Sequence, residues 1–362
     1  MRFSLLSSVL CGASVAVALP STAKLAPLLT PSGMNHPLVP YEEALKIFAN
    51  APKASSNPAT YNDTAPLPKQ KTSGVDGVSS TAATCASNPN IRFEWDNYSV
   101  SDRQALIAAI KCLMNKPPSG NFPPSTSRYE DFARLHQLYA NNIHQNGKFL
   151  PWHRYFLWSF EQVLRAECGF NRAFVWFDET KHAGNFAGSD IFSAAYLGTD
   201  EAGNHCVNNG QFAGLTAHIG FGNGDSPHCL SRNGDPSAQA QCNTNYVNSC
   251  LSNSDYKDFE RCFEYGPHGY GHNGVGGVMA DVNGSPSDPF FWFHHAFVDR
   301  AWRVWELADP NNRYSYIDGV DVNGNPLTLD TPIYMGGIRP DTTIREVINT
   351  LSGTTICYRY DY

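Results

Sequence analysis

The grouping of the histidines narrows the folds open to this chain more than any other feature. Twelve are present, and six of them form two groups. His136, His144 and His153 lie within 18 residues; His268 and His272 are four apart, with His295 downstream. Three of them, His136, His153 and His295, stand on apolar faces with helical spacing. A first helix is expected from about Ser101, where Leu106, Ala109, Ile110 and Leu113 keep the period until Pro117-Pro118. A second is expected from about Ser127 to Ile143, with Tyr129, Phe132, Ala133, His136, Ala140 and Ile143 on one face. Pro151 suits the first turn of a third, whose inner face carries His153, Phe156, Leu157, Phe160 and Leu164. Asp288-Pro289 signals the start of another, with Phe291, His295, Val298, Trp302 and Trp305 in one stripe. His268 and His272, at i and i+4, share a helical face. Pro267 can open that helix, although Gly269 and Gly271 weaken it.

One imidazole on an apolar face is ordinarily a core residue, but six that converge suit a transition metal. A structural zinc site closes at four ligands, often thiolates, and no Cys-x-x-Cys pair is present. Two separated triplets fit two metal ions better, each with three histidines and an open position for a small molecule. Copper is the natural candidate, because imidazole binds both its common oxidation states and a pair can pass two electrons to O₂. The expected fold is mainly α: a central helix bundle carrying a dinuclear copper site, with long disulfide-tied loops and a few short strands.

Arg2, the apolar run Phe3 to Val17 and the small-residue site Ala16-Val17-Ala18 read as a signal peptide over 1–18, too short to span a bilayer. Residues 19–84 are rich in Pro, Ala, Ser and Thr with one amphipathic stretch at Tyr41–Phe48, and read as a mobile leader or propeptide. The catalytic domain is placed at 85–362, with 180–260 expected as loops and short strands expected beyond Asp309-Pro310. A secretory route makes the nine cysteines after Cys11 candidates for disulfides; nine is odd, so at least one stays free or pairs outside the chain. Sequons at Asn62, Asn97 and Asn283 fit that extracellular localisation. A net charge of −7 without basic blocks argues against nucleic acid or a membrane surface as partner.

The run Asp288-Pro289-Phe290-Phe291-Trp292-Phe293-His294-His295-Ala296-Phe297-Val298-Asp299-Arg300-Ala301-Trp302 resembles the copper-B signature of tyrosinases and catechol oxidases. Phe149-Leu150-Pro151-Trp152-His153-Arg154-Tyr155 is similar to their copper-A helix, and Pro267 to His272 stands where copper-B ligation begins. Arg92-Phe93-Glu94-Trp95 and Tyr358-Arg359-Tyr360 resemble the segments that open and close the core. The resemblance spans about 85–362 and points to the short fungal type of these type-3 dicopper polyphenol oxidases. It implies that His136, His144 and His153 hold one copper and that His268, His272 and His295 hold the other. His295 is preferred to His294 because the family ligand precedes the Asp of Asp299-Arg300 by four residues; His294 is expected to pack or hydrogen-bond beside the ligands.

The same resemblance implies further roles. Glu264, with Glu260 as rival, holds a water that takes the phenolic proton. Gly269 stands where some members carry an Asn that accompanies monophenol hydroxylation, so diphenol oxidation is favoured; Asn273 partly substitutes. Val282 stands at the position of a gate over the first copper, and its small side chain leaves the entrance open. Asn142 replaces the cysteine that some relatives link to the second histidine of the first triad, so no thioether is expected at His144. Val175-Trp176-Phe177-Asp178-Glu179 permutes the family's aromatics, and Asp299 is expected to pair with Arg92. The implied activity is oxidation of o-diphenols to o-quinones by O₂. A tyrosinase that also hydroxylates monophenols and an o-aminophenol oxidase are the alternatives, with an oxygen carrier further off. Any latency is expected to come from 19–84. His36, His182, His205, His218 and His228 are read as surface or structural residues.

Overall fold

The computed structural model describes residues 35–54, 82–199 and 205–362. The signal segment 1–18, Cys11 and the Asn62 sequon lie outside them. The expected helices form with their caps. Helix α2, Val100–Asn115, starts where Ser99 Oγ accepts the Asp102 N–H, and α3, Arg128–Ile143, where Ser127 Oγ accepts that of Glu130. Helix α4, Phe149–Cys168, begins two residues earlier than Pro151 requires. Pro151 still falls in the first turn, where N–H groups lack intrahelical partners, and Gly169 at φ 65° ends the helix. Helix α8, Phe290–Ala308, is opened by the Asp288 carboxylate accepting the Phe290 N–H at 2.9 Å.

Helices α2, α3, α4 and α8 pack around a continuous aromatic core, with α4 touching the other three. A small parallel sheet closes one side: β1 (Asn90–Glu94) lies between β2 (Phe174–Trp176) and β3 (Tyr358–Tyr360), with Arg92 opposite Phe174 and Tyr360. Arg92 is buried and reaches Asp299 and Glu161, each at 3.0 Å. The expected Arg92–Asp299 pair is thus present, inside a larger node. Asp299 also accepts Arg154 Nε and the hydroxyls of Tyr358 and Tyr360. Burial pushes the Asp299 carboxyl up, but Arg154 and Arg92 outweigh it and hold it below the ordinary range. Asp299 lies one turn beyond His295 on α8, so this node fixes the helix that carries the last histidine.

Four disulfides form: Cys85–Cys357, Cys112–Cys168, Cys206–Cys229 and Cys250–Cys262. Among the described residues Cys242 is the unpaired one, and it is buried. The first bridge closes the domain, joining the segments that enter β1 and β3.

Two expectations need correction. The 180–260 stretch is not all loop: α5 (Thr244–Leu251) and α6 (Tyr256–Phe263) are helices joined by the Cys250–Cys262 bridge. Each is only eight residues long, too short for its period to stand out from the polar surroundings. Nor is the leader uniformly mobile. Residues 41–47 form α1 (Tyr41–Ile47), which buries Ala44, and Phe48 beyond it is buried too. The chain then pairs with 252–254: Ala54 N–H donates to Ser252 O at 2.8 Å, and Lys53 Nζ to Asn253 Oδ1 at 2.7 Å. No helix among the described residues is long and apolar enough to cross a membrane.

Candidate metal centre

All six grouped histidines meet in the middle of the bundle, each no more than 5% exposed. His136 comes from α3, His144 caps its C-terminal end, and His153 comes from α4. His268 ends a wide turn over Glu264–His268, kinked at Gly266, and His272 follows on α7 (Gly269–Val275). His295 comes from α8. His136, His144 and His153 form one group whose nitrogens lie within 4.8 Å of one another; His268, His272, His294 and His295 form another.

Backbone carbonyls set the ring orientation. Nδ1–H donates to Asn283 O from His136 (3.0 Å), to Ala140 O from His144 (3.0 Å) and to Phe149 O from His153 (2.8 Å). In the second group it donates to Glu264 O from His268 (3.0 Å) and to Met279 O from His272 (2.7 Å). In each of these five the proton sits on Nδ1, so the Nε2 lone pair faces inward. His295 lacks such an anchor and is held by stacking on Phe291 at 4.0 Å and His153 at 4.5 Å.

The inward nitrogens face one another. His136 Nε2 lies 3.3 Å from His153 Nε2, and His272 Nε2 lies 3.2 Å from His295 Nε2. His144 Nε2 and His268 Nε2 are buried without a hydrogen-bond partner. Protons cannot relieve this. Burial lowers the pKa of all six, with neighbouring imidazoles adding to the effect at most of them, and His144 is pushed down to about 4. Opposed acceptor lone pairs in a dry site fit a shared cation on each side, and neutral nitrogen donors fit copper. The residues therefore fit two such ions, three histidines to each.

His294 lies beside the second triad. Its Nδ1 bonds Glu179, both side chains are fully buried, and its Nε2 remains without a partner. Gly271 makes this possible: a Cβ there would stand 2.6 Å from both Glu179 Oε2 and His294 Cε1. The glycine that weakens the helix makes room for the pair.

Glu264 is buried, and its Oε1 accepts the Gln145 N–H at 2.7 Å. Gln145 sits in the left-handed region (φ 58°) directly after His144, so this bond ties the two histidine groups together. Oε2 is buried as well, and the Glu260 carboxyl lies against that of Glu264. Burial raises both Glu260 and Glu264, the latter to about 7. Asn273 Nδ2 donates to Gly269 O and His36 O, each at 3.0 Å. Val282 is half-buried and directly precedes Asn283, whose carbonyl anchors His136. Gly269 is buried, and a Cβ there would meet Pro37 O at 2.8 Å.

Two residues of this site fall outside the sequence expectation. Glu179 sits in the segment with permuted aromatics, and its acidic side chain next to Asp178 was the available signal. His36 was read as a surface or structural residue of the leader; it is 3% exposed and stacks on His272 with ring centroids 3.8 Å apart. Its signal was indirect: a leader with one amphipathic helical stretch needs an apolar partner. His182, His205, His218 and His228 lie outside both histidine groups.

Residues 126–308 match the common central domain of tyrosinase. Over 330 aligned residues the chain is 31% identical to Tyrosinase P of Aspergillus terreus, a match covering 75% of this chain and 92% of that protein. Among solved structures, a polyphenol oxidase variant from Thermothelomyces thermophila matches with a TM-score of 0.69 at 28% identity, covering 76% of this chain and 89% of the other. An octopus hemocyanin unit matches with a TM-score of 0.55 at 21% identity, covering 75% and 68%, and so shares the fold.

Proposed function

The chain belongs to the tyrosinase family, and from that premise we propose that it is a secreted dicopper catechol oxidase. It uses O₂ to oxidise o-diphenols to o-quinones, two diphenols and one O₂ giving two quinones and two waters. The observation that carries the reading is the facing of two histidine triads, with five of their six rings locked by backbone carbonyls. That the protein is an oxidoreductase follows from the family; the diphenol preference and the secretory route are the proposed part. Four disulfides support secretion.

Copper bound by His136, His144 and His153, and by His268, His272 and His295, would supply the two-electron chemistry with O₂. The protein sets ligand geometry and keeps a dry cavity. Glu264 would hold, through Oε2, the water that takes the phenolic proton, because Oε1 is taken by Gln145. Gly269 presents no side chain to orient a water, which supports diphenols over monophenols. Asn273 has its amide tied to two carbonyls and offers only Oδ1. Val282 is assigned to the entrance over the first copper.

The test is metal analysis with oxygen uptake on catechol, a monophenol and an o-aminophenol, before and after limited proteolysis of the leader. Two coppers per chain and uptake with catechol are expected. Fewer than two, or no uptake with any donor after proteolysis, refutes the reading. Rapid monophenol turnover moves the assignment to a tyrosinase.

A further inference from the structure

The ring of His36 lies against histidines of both triads. It is face to face with His272, 22° from parallel, and edge-on to His268 at 4.9 Å. A ring nitrogen of His36 lies within 4.8 Å of a ring nitrogen of His144 and of one of His268, one residue from each triad. Its Nε2 is buried without a partner. A flat ring stacked on a ligand imidazole, with a heteroatom between the two triads, has the shape and polarity of a bound phenol.

The backbone around His36 is held at several points. His36 O accepts the Asn273 amide at 3.0 Å, Val39 N–H donates to Tyr265 O at 2.9 Å, and Tyr246 OH donates to Val39 O at 2.6 Å. Asn35 pairs with Asp281. Two glycines let the segment sit this close. The Pro37 carbonyl occupies the space a Cβ on Gly269 would need, and Tyr246 fills that beside Gly266. Outside lies a cleft of about 850 Å³ lined by His36, Pro37, Leu38, Gln145, Asn273 and Asp281 among others; none of the six triad histidines lines it. His36 lines that cleft and also stacks on the triad histidines.

We propose that residues 35–54 form a built-in strap whose His36 ring occupies the substrate position, holding the intact chain closed. The inference rests on the dicopper reading above. The strap rejoins the domain through residues 55–81. While that tether is whole, docking is intramolecular, with an effective concentration on the order of millimolar. A cut within it makes docking bimolecular, and at micromolar protein the strap leaves.

The test compares the intact chain, His36→Ala, and a chain cut at a protease site introduced in 55–81. Copper-loaded samples are assayed on catechol. Zinc-loaded samples are titrated with benzoate, a non-oxidisable aromatic probe, and the metal-free intact chain is followed by amide hydrogen exchange. His36→Ala and the cut chain should each gain at least tenfold in kcat/KM and bind benzoate at least tenfold more tightly. The Val39 and Phe48 amides should be protected in the intact metal-free chain. Equal benzoate affinity and equal kcat/KM in all three at two metals per chain would overturn the strap. So would exchange of those amides at the unfolded rate, whatever the metal content. Fewer than two metals per chain would count against the dicopper reading alone, and the metal-free exchange would still decide the strap.

Discussion

Helix α7 offers a test in which two neighbouring glycines should behave differently. Gly269 and Gly271 flank Tyr270, and replacing either by alanine gains about 1 kcal/mol of intrinsic helix stability. At Gly271 the new Cβ would stand 2.6 Å from Glu179 Oε2 and His294 Cε1 and 2.7 Å from His294 Nδ1. Those side chains are fully buried and bonded to each other, so neither has solvent to move into. Overpacking of this kind costs about 1–3 kcal/mol. Gly271→Ala should therefore lose about 1 kcal/mol net, lowering the melting temperature by about 2–4 °C. Moving His294 against His268 and His272 should also weaken metal binding by about 10–100-fold, the usual effect of disturbing groups that orient ligands. At Gly269 the close collisions are with Pro37 O at 2.8 Å and Leu38 at 3.1 Å of the strap, which can lift away; Glu264 O, the anchor of His268, follows at 3.3 Å. Gly269→Ala should cost less zinc affinity than Gly271→Ala while residues 37–48 lose amide protection. Melts of metal-free protein and competitive zinc titrations read both. A Gly271→Ala chain that melts higher than the parent and binds zinc equally would refute the packing argument.

Asp299→Ala removes one of the two carboxylates from each of Arg92 and Arg154, which keep Glu161 and Glu306, and should cost about 3 kcal/mol by urea denaturation, the low end for a broken buried pair; a loss below 1 kcal/mol would remove the node from the account. Asp299 and Glu161 both carry carboxyls held below the ordinary range, burial being outweighed by Arg154 and Arg92 at the first and by Arg165 and Arg92 at the second. Their stabilisation is present above the unfolded values near pH 4 and is lost as pH falls through the lower folded values. The six buried imidazoles, whose pKa values are lowered, already cost metal-free stability as pH falls below about 6.5. The carboxylate share is therefore a further drop in melting temperature below about pH 4, and no further drop between about pH 4 and pH 3 would contradict it. The Cys85–Cys357 bridge joins residues 272 apart, for which chain entropy gives about 5–6 kcal/mol. The double serine variant should lose several kcal/mol in the same urea assay, and a change under 1 kcal/mol would mean that the bridge closes nothing the fold has not already closed.

The sequence exposes what is periodic and hides what is reciprocal. Helices α2, α3, α4 and α8 are long enough for apolar spacing to declare them, and four of the six triad histidines sit on or directly after α3, α4 and α8; His268 and His272, on the wide turn and the seven-residue α7, were legible from their spacing of four. The Arg92–Asp299 pair was legible because both residues lie in recognisable segments at the two ends of the domain. Helices α5 and α6 were not, because eight residues give only two turns. The strap is the harder case. Its docking is written in one histidine, in Ala44 and Phe48, and in backbone carbonyls that carry no side-chain identity. Its seat is written as missing atoms at Gly269 and Gly266. Read along the chain, Gly269 is a weak helix residue or the absence of an Asn that hydroxylating relatives carry. In three dimensions its bare Cα is also what lets the Pro37 carbonyl reach α7. A side chain placed at Gly269 would therefore also meet the Pro37 carbonyl and push the strap away.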